Sequence, residues 1–192
     1  MIAIIDYTAG NTRSVINALA RLNCESVVTS DTDLIQQADK VILPGVGNAA
    51  AAMQDLKRKK LDILIPQLKQ PVLGICLGQQ LLCSYSEEGN TAGLGIFKTR
   101  VRQFAERERV PHMGWNTIMD CKGPLFKNIS AEDHFYFVHS FYCELCADTA
   151  AVTDYQLPFS AALQRDNFFG TQFHPEKSGD AGETILLNFL NL

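Results

Sequence analysis

Val72-Leu73-Gly74-Ile75 carries no polar side chain, with Pro71 before it and Cys76-Leu77-Gly78 after it. So short and apolar a segment is a strand covered on both faces, the situation of an inner strand in a parallel sheet packed between helices. Ile2 to Asp6 opens the chain in the same manner. Between the two, helical and strand periodicities alternate. A turn at Ala9-Gly10 and the capping residues Asn11 and Thr12 start a helix to about Asn23, with Val15, Ile16, Leu19 and Leu22 on one face. Cys24 to Thr29 and Lys40 to Leu43 read as strands, and Pro44-Gly45-Val46-Gly47 as a loop. A helical stretch follows, broken near Pro66, and Leu77 to about Tyr85 reads as a helix starting directly after the apolar strand.

The second half changes texture. Phe97 to Phe104, Phe135 to Leu145, Ala150 to Tyr155, Ala161 to Arg165 and Phe168 to Phe173 are predicted strands, several of them antiparallel. A last helix spans about Ala181 to Leu190, with Ile185, Leu186, Phe189 and Leu190 inward. This order predicts a three-layer α/β domain with a mostly parallel central sheet, helices on both faces and extra antiparallel strands. The 192 residues are assigned to one domain, long enough to bury about 70% of its unfolded surface without metal or disulfide.

Seventeen Lys and Arg against 21 Asp and Glu leave a net charge of −4. No cationic excess is available to neutralise phosphates, so a nucleic acid is not the expected partner. The basic runs Lys57-Arg58-Lys59-Lys60 and Arg100 to Arg109 read as solvated faces, the second diluted by Glu106 and Glu108. No apolar run reaches the roughly 18 residues that span a bilayer, and the first residues lack the basic start of a signal peptide. The expected location is the cytoplasm, where the six cysteines are free thiols.

Gly74-Ile75-Cys76-Leu77-Gly78, between strand and helix, is the nucleophile-elbow pattern with sulfur in place of oxygen. A nucleophile at the apex of so tight a turn takes a strained backbone shape, and the helix N-terminus beside it favours thiolate. Phe173-His174-Pro175-Glu176 offers the base that such a nucleophile needs and a carboxylate to orient it. Gly45 and Gly47 let bare N–H groups face a ligand, as an oxyanion hole requires, and the N–H of Leu77 is the natural second donor. Pro44 to Gly47, Cys76 and His174 all fall at or just past predicted strand ends, where ligands bind in such sheets.

Gly45-x-Gly47-x-x-Ala50 also fits a loose dinucleotide fingerprint, but the next strand ends in Cys76 rather than in the acid that would hold a ribose. A P-loop pattern is absent. The lone Cys143-Glu144-Leu145-Cys146 lacks a second pair, and His134 and His139 lie on the same predicted strand, so neither a metal nor a cofactor is expected. Cys24, Cys83 and Cys121 read as packing.

Pro-Gly-Val-Gly, Gly-Ile-Cys-Leu-Gly-x-Gln and Gln-Phe-His-Pro-Glu-Lys-Ser together resemble the class I, or triad, glutamine amidotransferases. Asp6-Tyr7-x-Ala9-Gly10-Asn11, Pro111-His112-Met113-Gly114-Trp115-Asn116 and Val138-His139-Ser140 are similar to members of that family that feed ammonia to a cyclase. The resemblance, spanning Asp6 to Ser178, implies the family's flavodoxin-like three-layer fold. It implies Cys76 as nucleophile, His174 as base and then acid, and Glu176 as its orienter, acting on L-glutamine. It also implies oxyanion donors at Gly47 and Leu77, and glutamine binding by Gln80, Glu88, Ser140 and Phe141. The implied partner is a (β/α)₈ cyclase subunit in a one-to-one heterodimer, with Asn11, Trp115 and Lys177 near the interface.

Two residues depart from the family pattern: Gln79, where Met is common, and Thr8, where Gly is common. Two other readings stay open: a subunit of a different synthase, such as one for vitamin B6 or nucleotides, and a non-catalytic nucleotide-binding module built on Gly45 to Ala50.

Overall fold

The computed structural model describes residues 1–8, 12–105 and 109–192. The first half runs β1 (Ile2–Ile5), α1 (Thr12–Arg21), β2 (Ser26–Thr29), α2 (Thr32–Gln37), β3 (Lys40–Leu43), α3 (Ala49–Arg58), α4 (Leu61–Leu64), β4 (Val72–Ile75) and α5 (Leu77–Leu82). Next come β5 (Cys83–Ser86), β6 (Thr91–Ala92), β7 (Phe97–Gln103), β8 (His112–Thr117), β9 (His134–His139) and β10 (Phe141–Cys143). The chain ends with β11 (Thr149–Tyr155), β12 (Leu157–Arg165), β13 (Phe168–Thr171) and α6 (Gly179–Leu190).

Seven strands form the central sheet in the order β11-β12-β13-β4-β3-β1-β2. The five from β13 to β2 are parallel, and β11 and β12 extend the edge antiparallel. Counting β13 as the fifth parallel strand, this is the doubly wound 2-1-3-4-5 order of flavodoxin-like folds. Side chains alternate between two cores, as a pleated strand requires. Ala3, Ile5, Val41, Leu43 and Val72 pack with α2, α3, α4 and α5. Ile2, Ile4, Ile42, Leu73 and Ile75 pack with α1 and α6. A four-stranded sheet, β10-β7-β5-β6, and the hairpin β8-β9 stand beside this scaffold.

Several element boundaries differ from the sequence expectation. The helix after Cys76 ends at Leu82 rather than near Tyr85, because Cys83 and Tyr85 pair with β7 and turn the chain into a strand. Helix α2 was not anticipated, although Asp31 caps it by accepting from the N–H groups of Asp33 and Leu34. The single strand expected over Phe135 to Leu145 breaks at Ser140 into β9 and β10, which join different sheets. Strand β8 was not anticipated either. Cys121 is exposed rather than packed, and the Cys83 sulfur lies 3.6 Å from that of Cys143. The expected turn at Ala9-Gly10 and the cap at Asn11 lie outside the described residues, as do Glu106 to Glu108.

Candidate active site

Cys76 sits where β4 ends and α5 begins, with φ 53° and ψ −108°. This left-handed conformation costs an ordinary residue energy and must be imposed by its surroundings. The close approach behind it explains the flanking glycines. A Cβ on Gly78 would lie 1.9 Å from the Leu43 carbonyl oxygen, and one on Gly74 2.7 Å from the Gly78 carbonyl carbon. The Cys76 N–H donates to the Thr171 carbonyl at 2.7 Å, continuing the β4–β13 pairing past Ile75 and Thr171.

His174 follows β13 by three residues, and its N–H donates to the Tyr136 carbonyl at 2.9 Å. Ser178, itself buried, donates its hydroxyl to the His174 carbonyl at 2.6 Å and accepts from the Tyr136 N–H at 2.9 Å. The turn carrying the histidine is thereby fastened to β9. His174 Nδ1 donates to Glu176 Oε1 at 2.8 Å, both side chains being 2% exposed. A carboxylate on Nδ1 fixes the ring and leaves Nε2 to exchange protons. That nitrogen is buried and makes no hydrogen bond in the resting geometry. Burial opposes charge on the ring, but the charge on the Cys76 sulfur, followed by the Glu176 carboxylate, outweighs it and pushes His174 up to about 10. The arrangement favours the protonated form of the His174 ring.

A cavity of about 360 Å³ opens over Cys76. Gly47, Leu77, Gln80, Glu88, Ser140 and Phe141 all line it, so one pocket collects every expected oxyanion and glutamine-binding residue. Gly47 has φ 108°, a conformation in which a side chain would be strained. Glu88 is half-buried, and burial raises its carboxyl above the ordinary range while the Ala49 N–H, donating at 2.7 Å, works against that. A carboxylate so placed favours a cationic group in the pocket. The Ser140 carbonyl accepts from the Phe104 N–H, and the Phe141 carbonyl accepts from Gln80 Nε2 at 2.9 Å.

The dinucleotide alternative fares poorly here. The N–H of Ala49 is taken by Glu88, and those of Ala50 and Ala51 by the Asn48 side chain. The start of α3 thus has its donors occupied where a pyrophosphate would need them.

Of the three expected interface residues, Asn11 lies outside the described residues. Trp115 is 57% exposed. Its ring meets that of Tyr136 edge-on at 6.0 Å, and the Lys177 ammonium stands 5.9 Å from the same Tyr136 ring. Trp115 and Lys177 therefore share one exposed spot, on the outer side of the turn that holds His174.

Sequence reasoning passed over four polar side chains around the pocket. Ser178 is the clamp just described. Gln172 Nε2 donates to the Cys76 sulfur at 3.6 Å. His112 and His139 are buried and joined at 3.0 Å, and His139 Nδ1 donates to the Phe141 carbonyl at 2.7 Å. Burial holds both rings neutral, His112 at about 4 and His139 at about 3. The Phe141 carbonyl acts on His139 in the opposite sense. Gln172 and Ser178 stood within a motif already singled out. For the histidines, no local signal could join residues from opposite strands of a hairpin.

The family profile of class I glutamine amidotransferases matches residues 3–192. The imidazole glycerol phosphate synthase subunit HisH of Bacteroides fragilis is 58% identical across the whole of this chain and 99% of its own length. The protein of the same name from Bacteroides thetaiotaomicron is 55% identical over the same shares. Among solved structures, a glutamine amidotransferase superposes with a TM-score of 0.76 at 16% identity, over all of this chain and 98% of its own. PurLQS from Thermotoga maritima superposes with a TM-score of 0.74 at 18% identity, over 99% and 97%. At those identities the structural likeness speaks for the fold.

Proposed function

The chain belongs to the class I glutamine amidotransferases, and from that membership we propose that it is the glutamine-hydrolysing subunit of imidazole glycerol phosphate synthase in histidine biosynthesis. The observation that carries the chemistry is the placement of Cys76, on its strained turn, beside the buried His174–Glu176 pair.

The Cys76 thiolate attacks the side-chain amide carbon of L-glutamine. Negative charge moves from sulfur to the carbonyl oxygen, where the N–H groups of Gly47 and Leu77 receive it. The tetrahedral intermediate collapses as His174 gives its Nε2 proton to the leaving nitrogen. Ammonia departs, leaving a glutamyl thioester and a neutral imidazole. Water then attacks the thioester while His174 takes a proton from it, and the second collapse expels the Cys76 thiolate and releases glutamate. Glu176 keeps the ring in one tautomer and stabilises its charged form. Glu88 and Gln80 hold the amino-acid head group, and backbone at Ser140 and Phe141 meets its carboxylate.

The ammonia passes to a (β/α)₈ cyclase subunit bound one-to-one, where a ribulosyl aminoimidazole carboxamide ribotide is its acceptor. The exposed Trp115 and Lys177, which meet at the partly buried Tyr136 ring, support an interface on the triad side of the domain. Residues 1–192 act as one amidotransferase domain in the cytoplasm. Among the described residues no helix is long and apolar enough to cross a membrane.

The test is steady-state glutamine hydrolysis by the purified chain, alone and with the cyclase and its ribotide. A rate that rises on adding both, and that Cys76→Ala abolishes while the thermal unfolding profile is retained, is the expected result. Hydrolysis by the Cys76→Ala protein overturns the mechanism. A rate indifferent to the cyclase and ribotide overturns the assigned partner.

A further inference from the structure

Gln172 is fully buried, one residue past the end of β13, and its side chain bridges the glutamine pocket and the nucleophile. Which end of its amide faces sulfur follows from the neighbouring groups. The Phe141 carbonyl can only accept, so the Gln80 atom 2.9 Å from it is Nε2. The second hydrogen of that Nε2 points at Gln172, also at 2.9 Å, so the Gln172 atom there is the acceptor Oε1. Gln172 Nε2 is left facing the Cys76 sulfur at 3.6 Å, where the larger radius of sulfur sets the longer distance. His139 adds a second lock. Its Nδ1 also donates to the Phe141 carbonyl, so its Nε2 accepts, and His112 Nδ1 must be the donor to it. The donors thus run His112 to His139 to the Phe141 carbonyl, and from Gln80 through Gln172 to sulfur, with one consistent set of protons.

We propose that Gln172 is a catalytic residue of this glutaminase: its side-chain amide, held in one orientation by Gln80, donates a hydrogen bond to the Cys76 sulfur and stabilises it as the thiolate. The inference rests on the reading of Cys76 as the nucleophile. The bond counts when sulfur carries charge, which is before attack and again when thiolate leaves the second tetrahedral intermediate. It weakens while sulfur is bonded to the glutamyl carbon. Hydrogen bonds to charged partners are the stronger class, and a fixed donor has no reorganisation to undergo as the charge returns. His174 supplies a proton that moves, whereas Gln172 supplies one that stays.

The consequences differ from those of a packing residue. Without the donor, less of the sulfur is ionised at neutral pH, so the deficit is largest there and shrinks as pH rises. Gln172 does not line the cavity, and Gln80, which does, keeps its bond to the Phe141 carbonyl when Gln172 is changed, so glutamine binding should change little. Two variants make the test. Gln172→Met keeps the volume and removes the donor. Gln172→Glu keeps the volume and the acceptor for Gln80, but turns an acceptor toward sulfur, and it decides the matter if the Met variant does not fold.

The first readout is iodoacetamide alkylation of the full-length chain across pH, followed at the Cys76 peptide by mass spectrometry so that the other five cysteines do not interfere. The second is kcat and KM for glutamine in the complex with the cyclase and its ribotide. The rising limb of the Cys76 alkylation profile should move to higher pH in each folded variant, by about one unit for a tenfold effect. At neutral pH kcat should fall about 10-fold or more, with KM within about twofold. Alkylation limbs superimposed on the wild type overturn the proposal, as does an equal loss of kcat at every pH. Alkylation needs no glutamine turnover, so a chain that failed to hydrolyse glutamine would overturn the proposed function and still report on Gln172.

Discussion

Gln79 should be replaceable by Met with a gain in stability. It is fully buried on α5, directed away from the cavity and against β13, where a Cβ on Gly170 would come within 2.7 Å of its Cγ. Its Nε2 is 3.4 Å from the Ser160 carbonyl and 3.4 Å from the Cys143 sulfur. Because the Ser160 carbonyl only accepts, the amide cannot be turned round, and Oε1 is left buried with no partner. An orphaned buried acceptor costs about 1–3 kcal/mol. A contact to oxygen at 3.4 Å, beyond the usual range for such bonds, returns little of that. Methionine has similar volume and adapts to irregular gaps. The net expectation for Gln79→Met is a gain of about 1–2 kcal/mol, which for a chain of this length raises Tm by about 2–5 °C. Thermal unfolding by calorimetry, with urea midpoints as a check, reads it directly. Glutamine hydrolysis should stay within about twofold, since no expected substrate contact involves Gln79. An unchanged or lowered Tm would refute the reasoning, because it would mean that the amide's contacts outweigh the orphaned oxygen.

The other predictions follow from the same geometry. Gly78→Ala drives a methyl group into the Leu43 carbonyl; it should cost about 3 kcal/mol or more and lower the urea midpoint, and a midpoint equal to wild type would show that the β3–α5 approach can relax. Glu176→Gln keeps the shape of the pair with His174 while removing the charge, so kcat should fall by about 100-fold or more with KM little changed, and near-normal turnover would remove Glu176 from the mechanism. The neutral pair His112 and His139, at about 4 and about 3, makes stability pH-dependent. The unfolded chain protonates these rings near pH 6.5 and the folded chain does not, so their contribution is complete above that value and is lost as pH falls toward 4 and then 3. Between about pH 7 and about pH 5.5 the loss should be about 1 kcal/mol per ring; His174, raised to about 10, acts in the opposite sense over that window, so the difference between wild type and His139→Phe in urea titrations at the two values reads it, the variant showing the smaller loss if it folds.

The parallel core was legible because its strands are apolar on both faces, and the elbow because glycines bracket Cys76 where no Cβ fits. Less of the flanking structure could be read, for identifiable reasons. Strand β8 turns Met113 and Trp115 outward, 62% and 57% exposed, while His112 on the same strand is buried. An alternation with apolar residues outside and a histidine inside inverts the pattern from which strands are recognised. Leu81, Leu82 and Cys83 look alike locally, and only pairing with β7 makes a strand from Cys83 on. Thr8, which departs from the family pattern, is explained by a partner 47 residues away: its N–H and hydroxyl both donate to Asp55 Oδ2, at 2.9 and 2.8 Å. A threonine thus ties the end of β1 to α3 in a way that glycine could not.

The proposed reacting groups come from segments about a hundred residues apart, yet one strand pair assembles most of them. β4 and β13 run parallel with Gly74 opposite Gly170 and Ile75 opposite Thr171. One further step along both strands brings Cys76 beside Gln172, and two more reach His174. Register in such a pair is set by side-chain burial, because a slip of one residue exchanges the two faces. On β13 and its extension, Phe168 belongs to the core under α3 and α5, while Phe169 and Phe173 belong to the core under α1 and α6. Phe173 is also held between the rings of Phe135 and Phe137, at 4.4 and 5.7 Å. The packing that fixes those phenylalanines therefore fixes which neighbour faces the sulfur. The burial of Phe173 between Gln172 and His174 and the placement of those two side chains near the sulfur are two results of one constraint, and a change in the core at Phe173 will act on both.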